Sequence, residues 1–379
     1  MVTSELHEEG SGGGGIYVYQ LCKELIRQGH EVDVIASLKS RSKLRTPFKI
    51  FKINLSKLPI LGMIKWGIEA YVCSIKLMQT TKYDVINVHC PLSSSIYPFV
   101  YASRIPMVIT IHTGWSLTNP RYPLHQKMFS LIRDLVSCIK SRKIIVLNKS
   151  YGQELRRWSI YQEKIVYIPN AVDWQRFAIK RNGKETFREK FRIPREAIVL
   201  FYMGRIAKYK GVESLLDAIR ILQKTTREHI WVIIAGDGPL RSSLMKKYCN
   251  LQNVLFTGSL WKSEKTSAYQ ESDLFVIPSV RGEGMPTVLL EAMAAGLPII
   301  STRIPGTVEV IRKEFGMLVN PSDPMELARA ILDMIADASS LRKMGQKAKL
   351  WSRQFDWAII GEQIAELFRS CLKDETPES

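Results

Sequence analysis

Residues Arg281–Ile300 read RGEGMPTVLLEAMAAGLPII. Glu283 and Glu291 stand in it with seven residues between them, the first on a glycine-rich turn and the second a little over two helical turns later. A small-residue run, Ala292 to Gly296, follows the second acid. The apolar run Leu274–Ile277 precedes the stretch and Pro298–Ser301 ends it, so it reads as strand, loop, helix, strand. A surface helix scatters its acids more loosely. This spacing suggests two carboxylates that bind hydroxyl groups of one ligand.

The same alternation runs outward to both ends. Val32–Ser37 (VDVIAS), Val85–His89, Val108–His112 and Ile144–Leu147 read as buried parallel strands, with helices such as Tyr17–Gln28 and Pro123–Ser141 between them. Ile198–Met203, Trp231–Ala235 and Val254–Phe256 repeat the pattern in the second half. Strand–helix alternation implies an α/β fold with a parallel sheet covered on both faces, and two such sets imply two doubly wound domains. Ligands are expected at the carboxyl ends of the strands. A length of 379 residues suits two domains. The expected division is 1–178, 179–350 and a C-terminal segment 351–379, with the polar stretch Ala178–Glu185 at the first boundary. The last helix, Ile359–Leu372, follows the aromatic residues Trp351, Phe355 and Trp357 and is expected to pack back on the N-terminal domain. Val2–Glu5 looks like the tail of a first strand.

Composition excludes several classes. No stretch reaches the roughly 18 uncharged apolar residues of a membrane-spanning helix. The most apolar long segment, Leu58–Met78, is broken by Lys65, Glu69 and Lys76. The six cysteines are scattered and form no CxxC pair, which argues against a zinc site or a disulfide framework. The formal charge of +18 favours a polyanionic partner or phosphorylated substrates. Residues 1–178 carry 24 Lys and Arg against 12 Asp and Glu, so the excess is concentrated there.

Several strand-end loops carry candidate chemistry. Gly10–Gly15, including Gly13 and Gly14, precedes a helix, where backbone N–H groups can approach an anion. Gly204 and Arg205 end a strand, and Lys210 follows before Gly211; an Arg and a Lys on one loop can grip a diphosphate. Turns at Gly236–Pro239, with Gly238, and Thr257–Ser259, with Gly258, suit either a base or ribose pocket or ordinary strand–helix turns. His89 and His112 each end a strand, placed either for substrate or for structure. HExxH, GxSxG and Asp-x-Asp are all missing, so no metal ligands are expected and basic residues would take the place of a metal cation.

Taken in order, these stretches resemble the GT-B glycosyltransferases of family 4. The resemblance covers nearly the whole chain: the glycine loop with Gln28–Val32 (QGHEV), Ile168–Asp173 (IPNAVD, with Ala171 where glycine is usual), Gly204-Arg205 to Lys210-Gly211, Gly236–Pro239 (GDGP) and the Glu283–Glu291 pair. It implies two Rossmann-like domains facing a cleft and a retaining, metal-independent transfer of a sugar from a nucleoside diphosphate, with no cofactor beyond that co-substrate. By the same resemblance Glu291 binds the ribose and Glu283 the donor sugar. Backbone groups at Gly284 and Met285 approach the sugar and phosphates. Arg205 and Lys210 neutralise the leaving diphosphate, and His112 lies near the transferred sugar. Arg303–Gly306 (RIPG) departs from the commoner double-glycine turn.

The acceptor is expected to be a lipid or glycan. From Ser37 to Lys57 there are seven basic residues (Lys39, Arg41, Lys43, Arg45, Lys49, Lys52, Lys57) and no acid, beside a segment with Ile60, Leu61, Met63, Ile64 and Trp66. Such a pairing suits an anionic membrane surface, or else a solvated loop with a core helix. The expected location is the cytoplasm, peripheral on the inner membrane face. The alternatives are another GT-B sugar-nucleotide enzyme, such as an epimerase, and a basic nucleic-acid-binding protein. The second explains the charge but not the paired acids, and no nucleic-acid partner is expected.

Overall fold

The computed structural model describes residues 1–8, 13–38, 46–54, 59–90, 105–112, 138–157, 162–179, 186–226, 228–281 and 283–373. Two units divide the chain: Met1–Asn170 with Trp357–Ser379, and Ala171–Asp356.

The first unit is built on seven parallel strands in the order β3-β2-β1-β4-β5-β6-β7. They are β1 (Val2–Thr3), β2 (Asp33–Ala36), β3 (Lys49–Lys52), β4 (Ile86–Cys90), β5 (Met107–Ile111), β6 (Lys143–Val146) and β7 (Ile165–Tyr167). The order reverses between β1 and β4, which makes their carboxyl ends the sheet's switch point. The expected helix Pro123–Ser141 lies outside the described residues up to position 137, as do Lys39, Arg41, Lys43, Arg45 and Lys57.

The helix Pro59–Thr80 decides between two expectations. Its sequence reads either as facing an anionic membrane surface or as a core helix, and Trp66 follows the second reading: it is 0% exposed in the core with Ile35, Val88 and Ile109. Its Nε1 donates to Ser37 Oγ at 2.7 Å, which gives the indole both an apolar bed and a polar partner. Among the described residues no helix is long and apolar enough to cross a membrane.

The second unit repeats the design with six parallel strands in the order β10-β9-β8-β11-β12-β13. They are β8 (Ile198–Met203), β9 (Ile230–Ala235), β10 (Val254–Gly258), β11 (Leu274–Ile277), β12 (Ile299–Thr302) and β13 (Gly316–Val319). Here the switch point lies between β8 and β11.

Residues Ala171–Ala178 and Trp351–Asp356, expected outside the second domain, belong to it. Val172 N donates to Phe355 O at 2.9 Å, and Trp174 Nε1 to Ser352 Oγ at 3.1 Å. The Phe177 ring meets Tyr269 edge-on at 5.5 Å. The helix Trp357–Lys373 lies in the first unit against the helix Gly13–Arg27: the Trp357 ring is 5.0 Å from Tyr17, and a Cβ on Gly361 would meet Glu24 Cγ at 2.4 Å.

Candidate active site

In the second unit the site begins where β8 and β11 end. Gly211 has φ +67°, and a Cβ there would lie 1.9 Å from Pro278 O, so glycine lets the loops after the two strands touch. Val280 N donates to Tyr209 O at 2.8 Å and ties them together. This contact brings Lys210 to Glu283: Nζ lies 2.5 Å from Oε1, and Ser279 Oγ donates to the same oxygen at 2.5 Å. Glu283 is 7% exposed and the Lys210 side chain 18%. A charged pair this enclosed holds its geometry because either partner alone would be a poorly hydrated charge.

Glu283 has a second support that the sequence did not announce. A Cβ on Gly306 would lie 2.5 Å from Glu283 O and 2.7 Å from Gly284 O. The RIPG turn therefore keeps one glycine where the acid's own backbone presses against it. Beside it, Thr302 donates to Ser279 O, and Thr307 Oγ1 donates to Thr302 O at 2.5 Å.

Glu291 lies on the helix Thr287–Ala294. Gly296 (φ +85°) ends that helix in a Schellman motif, with Gly296 N to Met293 O at 2.9 Å and Leu297 N to Ala292 O at 3.0 Å. Two residues on the helix Lys262–Gln270 reach Glu291 from positions i and i+4. Lys265 Nζ lies 2.6 Å from Oε1, and Tyr269 OH donates to Oε2 at 2.9 Å. Burial, then the Glu291 charge, holds the Tyr269 phenol well above its ordinary pKa, so it serves as a neutral donor.

The remaining second-unit candidates surround these acids unevenly. Arg205 is exposed and its guanidinium has no partner among the described residues, which leaves its donors available to a phosphate. Tyr202 OH donates to Arg205 O at 3.0 Å. Burial first, then Glu283, pushes the Tyr202 phenol up as well. The Gly236–Gly238 turn rests on the loop of Gly204, with Ile206 N donating to Asp237 O at 2.9 Å, and Gly258 O accepts from Gly236 N at 2.7 Å. Gly204, Gly238 and Gly258 thus sit on three contiguous strand-end loops. Gly284 and Met285 are buried beside Glu283.

The first unit holds the other three candidates. Gly13 and Gly14 start the helix Gly13–Arg27, and a Cβ on Gly14 would lie 3.5 Å from Glu5 Oε1 and 3.9 Å from the His112 ring. His112 follows β5, and its Nε2 lies 3.1 Å from Nδ1 of His89. Burial lowers His112 to about 4 against the opposing pull of Glu5.

Sequence reading missed Lys265, Tyr269 and Ser279, and it noted the turn of Gly306 without its contact to Glu283. The only signal of the first three was spacing: Lys265 and Tyr269 share a helix face, and Ser279 stands four residues before Glu283.

Comparison with known proteins decides the family. A model described as glycosyl transferases group 1 matches residues 183–351, and one described as glycosyltransferase family 4 matches 11–176. The chain belongs to the group 1 glycosyltransferases of the GT-B fold. A D-inositol 3-phosphate glycosyltransferase of Corynebacterium efficiens is 25% identical over 97% of this chain and 93% of its own. The sucrose-phosphate synthase of Thermosynechococcus elongatus matches in structure with a TM-score of 0.83 at 21% identity, covering 99% of this chain and 98% of that one. Anabaena HepE, solved in complex with UDP and glucose, matches at 0.77 and 17% identity, covering 97% and 98%. This glycosyltransferase carries its two signature acids on separate supports, each with its own lysine.

Proposed function

We propose that this glycosyltransferase takes a nucleoside diphosphate sugar as donor and transfers the sugar with retention and without a metal. The observation that carries the reading is the pair of enclosed acid–lysine contacts, Lys210–Glu283 at the β8/β11 switch point and Lys265–Glu291 on the helices behind it. Carboxylates suit vicinal hydroxyls, with Glu291 taking the ribose and Glu283 the sugar. Lys210 and Arg205 take the diphosphate, where preorganised cations stabilise the charge that develops as it leaves. The acceptor oxygen attacks the anomeric carbon on the face that the phosphate departs. The C–O bond to phosphate breaks, the new glycosidic bond forms, and the acceptor proton passes to the departing phosphate oxygen. We assign His112, Gly13 and Gly14 to donor binding as well. HepE's UDP and glucose support this donor class.

For the acceptor we propose a lipid or lipid-linked glycan met at an anionic membrane on its cytoplasmic face. Besides the basic run, the helix Pro59–Thr80 supports this with Ile68 at 50% and Val72 at 44% exposure, flanked on the same face by exposed Lys65 and Lys76. Purified protein is to be incubated with UDP-, GDP- and ADP-hexoses, with and without lipid acceptors in vesicles of anionic phospholipid. Nucleotide release that requires acceptor, with an anomeric configuration equal to the donor's, supports the reading. Release or isomerisation without acceptor defeats the transfer, and no sedimentation with anionic vesicles at low salt defeats the membrane acceptor.

A further inference from the structure

We propose that His89 fixes His112 in the neutral tautomer that carries its proton on Nδ1, so that His112 is a hydrogen-bond donor and not a base. The part about the transferred sugar rests on the function proposed above; the tautomer does not.

His89 lies on β4 and His112 directly after β5, the neighbouring parallel strand. The ring centroids lie 5.4 Å apart with 25° between the planes, so the imidazoles meet edge to edge, and the 3.1 Å contact joins His89 Nδ1 to His112 Nε2. One proton serves that contact, so two arrangements are open. If His112 Nε2–H donates, the proton of neutral His89 must sit on its Nε2. Among the described residues that atom is buried without a partner, so the arrangement strands an N–H donor. If His89 Nδ1–H donates, its Nε2 is a bare lone pair. Orphaned buried N–H groups are the rarer and costlier defect. The second arrangement wins, and neutral His112 then carries its proton on Nδ1. Neutral imidazole in water prefers the proton on Nε2, so His89 reverses an intrinsic preference.

Both rings are held neutral. Burial, then His112, then the amino terminus pull His89 well below the usual histidine value. His112 is pulled down by burial with Glu5 opposing. Tyr17 meets the His112 ring edge-on at 4.8 Å, and burial keeps its phenol protonated. His7 contacts Glu5 at 3.6 Å. His89 is thus a positioning residue, and His112 offers Nδ1–H to a hydroxyl or phosphate oxygen of the donor.

The test is long-range ¹H–¹⁵N correlation of the full chain labelled on histidine nitrogen, at pH 7. His112 should show a protonated Nδ1 and a bare Nε2 in wild type, and the reverse in His89→Leu. His89→Asn, whose amide N–H replaces Nδ1–H, should restore the wild-type pattern. In turnover assays His89→Leu should lower kcat about tenfold with donor KM little changed, the loss of one neutral hydrogen bond, and His89→Asn should recover most of it. A protonated Nε2 on His112 in wild type overturns the proposal. So does a His112 pattern unchanged in a folded His89→Leu. If His89→Leu fails to fold, the wild-type spectrum and His89→Asn decide. A reversed tautomer with unchanged kcat removes His112 from donor recognition and leaves the positioning by His89 intact.

Discussion

Replacing Glu283 by glutamine should tighten the binding of free nucleoside diphosphate while slowing transfer. Glu283 is the countercharge of Lys210 at 2.5 Å, and Ser279 adds a second hydrogen bond to the same oxygen. Removing one partner of a buried ion pair costs roughly 3–5 kcal/mol. The 18% exposure of Lys210 and the accepting oxygen of the new amide put the expected loss at the lower end, about 3 kcal/mol. A diphosphate supplies the missing negative charge. If it recovers half of that loss, about 1.4 kcal/mol, affinity rises about tenfold. In the proposed role of Glu283 the carboxylate that binds the sugar is gone, so kcat should fall by about 10²-fold. Titration calorimetry with UDP, GDP and ADP on wild type, Glu283→Gln, Lys210→Met and the double variant reads both terms. The gain must vanish in the double variant, because it acts through Lys210. A Glu283→Gln protein that binds every diphosphate no tighter than wild type, or a double variant that keeps the gain, refutes the reasoning.

Arg205→Ala should lower kcat/KM by about 10²-fold, since it removes a preorganised cation worth roughly 3 kcal/mol at the leaving group; EDTA should leave the wild-type rate unchanged, and a loss restored by Mg²⁺ would defeat the metal-free mechanism. Glu291→Gln and Lys265→Met should each raise donor KM by about tenfold with kcat nearly intact, because both loosen the proposed ribose grip; a fall in kcat alone would contradict it. Acid should destabilise the first unit through His89 and His112. Both have folded pKa values below the unfolded one, His112 at about 4, so the unfolded chain binds more protons in between. Stability is therefore complete above about pH 6.5 and lost as pH falls toward 4. His112→Asn should flatten that part of the denaturation profile, and an unchanged slope would show that the ring titrates normally.

The sequence showed most of the fold because buried parallel strands are near-continuous apolar runs. The strands it did not show, β3, β7 and β13, all lie at sheet edges and are only partly buried. Lys49 and Lys52 bracket β3, a device that protects an edge but erases the apolar signature. The domain boundary was placed on a polar stretch, whereas the chain crosses earlier. Val172, Trp174 and Phe177 already pack on the second unit, and composition does not register a partner far along the chain. Trp66 was ambiguous for a related reason: a tryptophan among basic residues reads as interfacial or as core until the hydroxyl of Ser37 is seen to satisfy its N–H. The paired acids were legible because both fall within one strand–helix unit. Their lysines were not, since Lys210 precedes Glu283 by a whole series of elements and Lys265 comes from a helix of its own.

That difference in support bears on the division of labour between the acids. Burying a carboxylate without a partner costs several kcal/mol, and a lysine and a hydroxyl help each acid meet the cost. Glu291 spends one contact on each oxygen, Lys265 on Oε1 and Tyr269 on Oε2. A carboxylate has about four lone-pair sites, so about two remain, the number a ribose diol needs. It also sits mid-helix, on a helix closed by the Gly296 Schellman motif, a support suited to the nucleoside, which every donor of one base shares. Glu283 takes both Lys210 and Ser279 on Oε1 and stands on a loop braced by Gly306. A loop can shift by tenths of an ångström where a helix cannot, and the sugar is the part of a donor that varies. Selection among sugars should therefore follow the loop that carries Glu283 and the glycine behind it. Gly306→Ala should change the ranking of donor sugars while leaving the affinity for free nucleoside diphosphates nearly unchanged; an equal loss for every donor and for the free nucleotides would place sugar selection elsewhere.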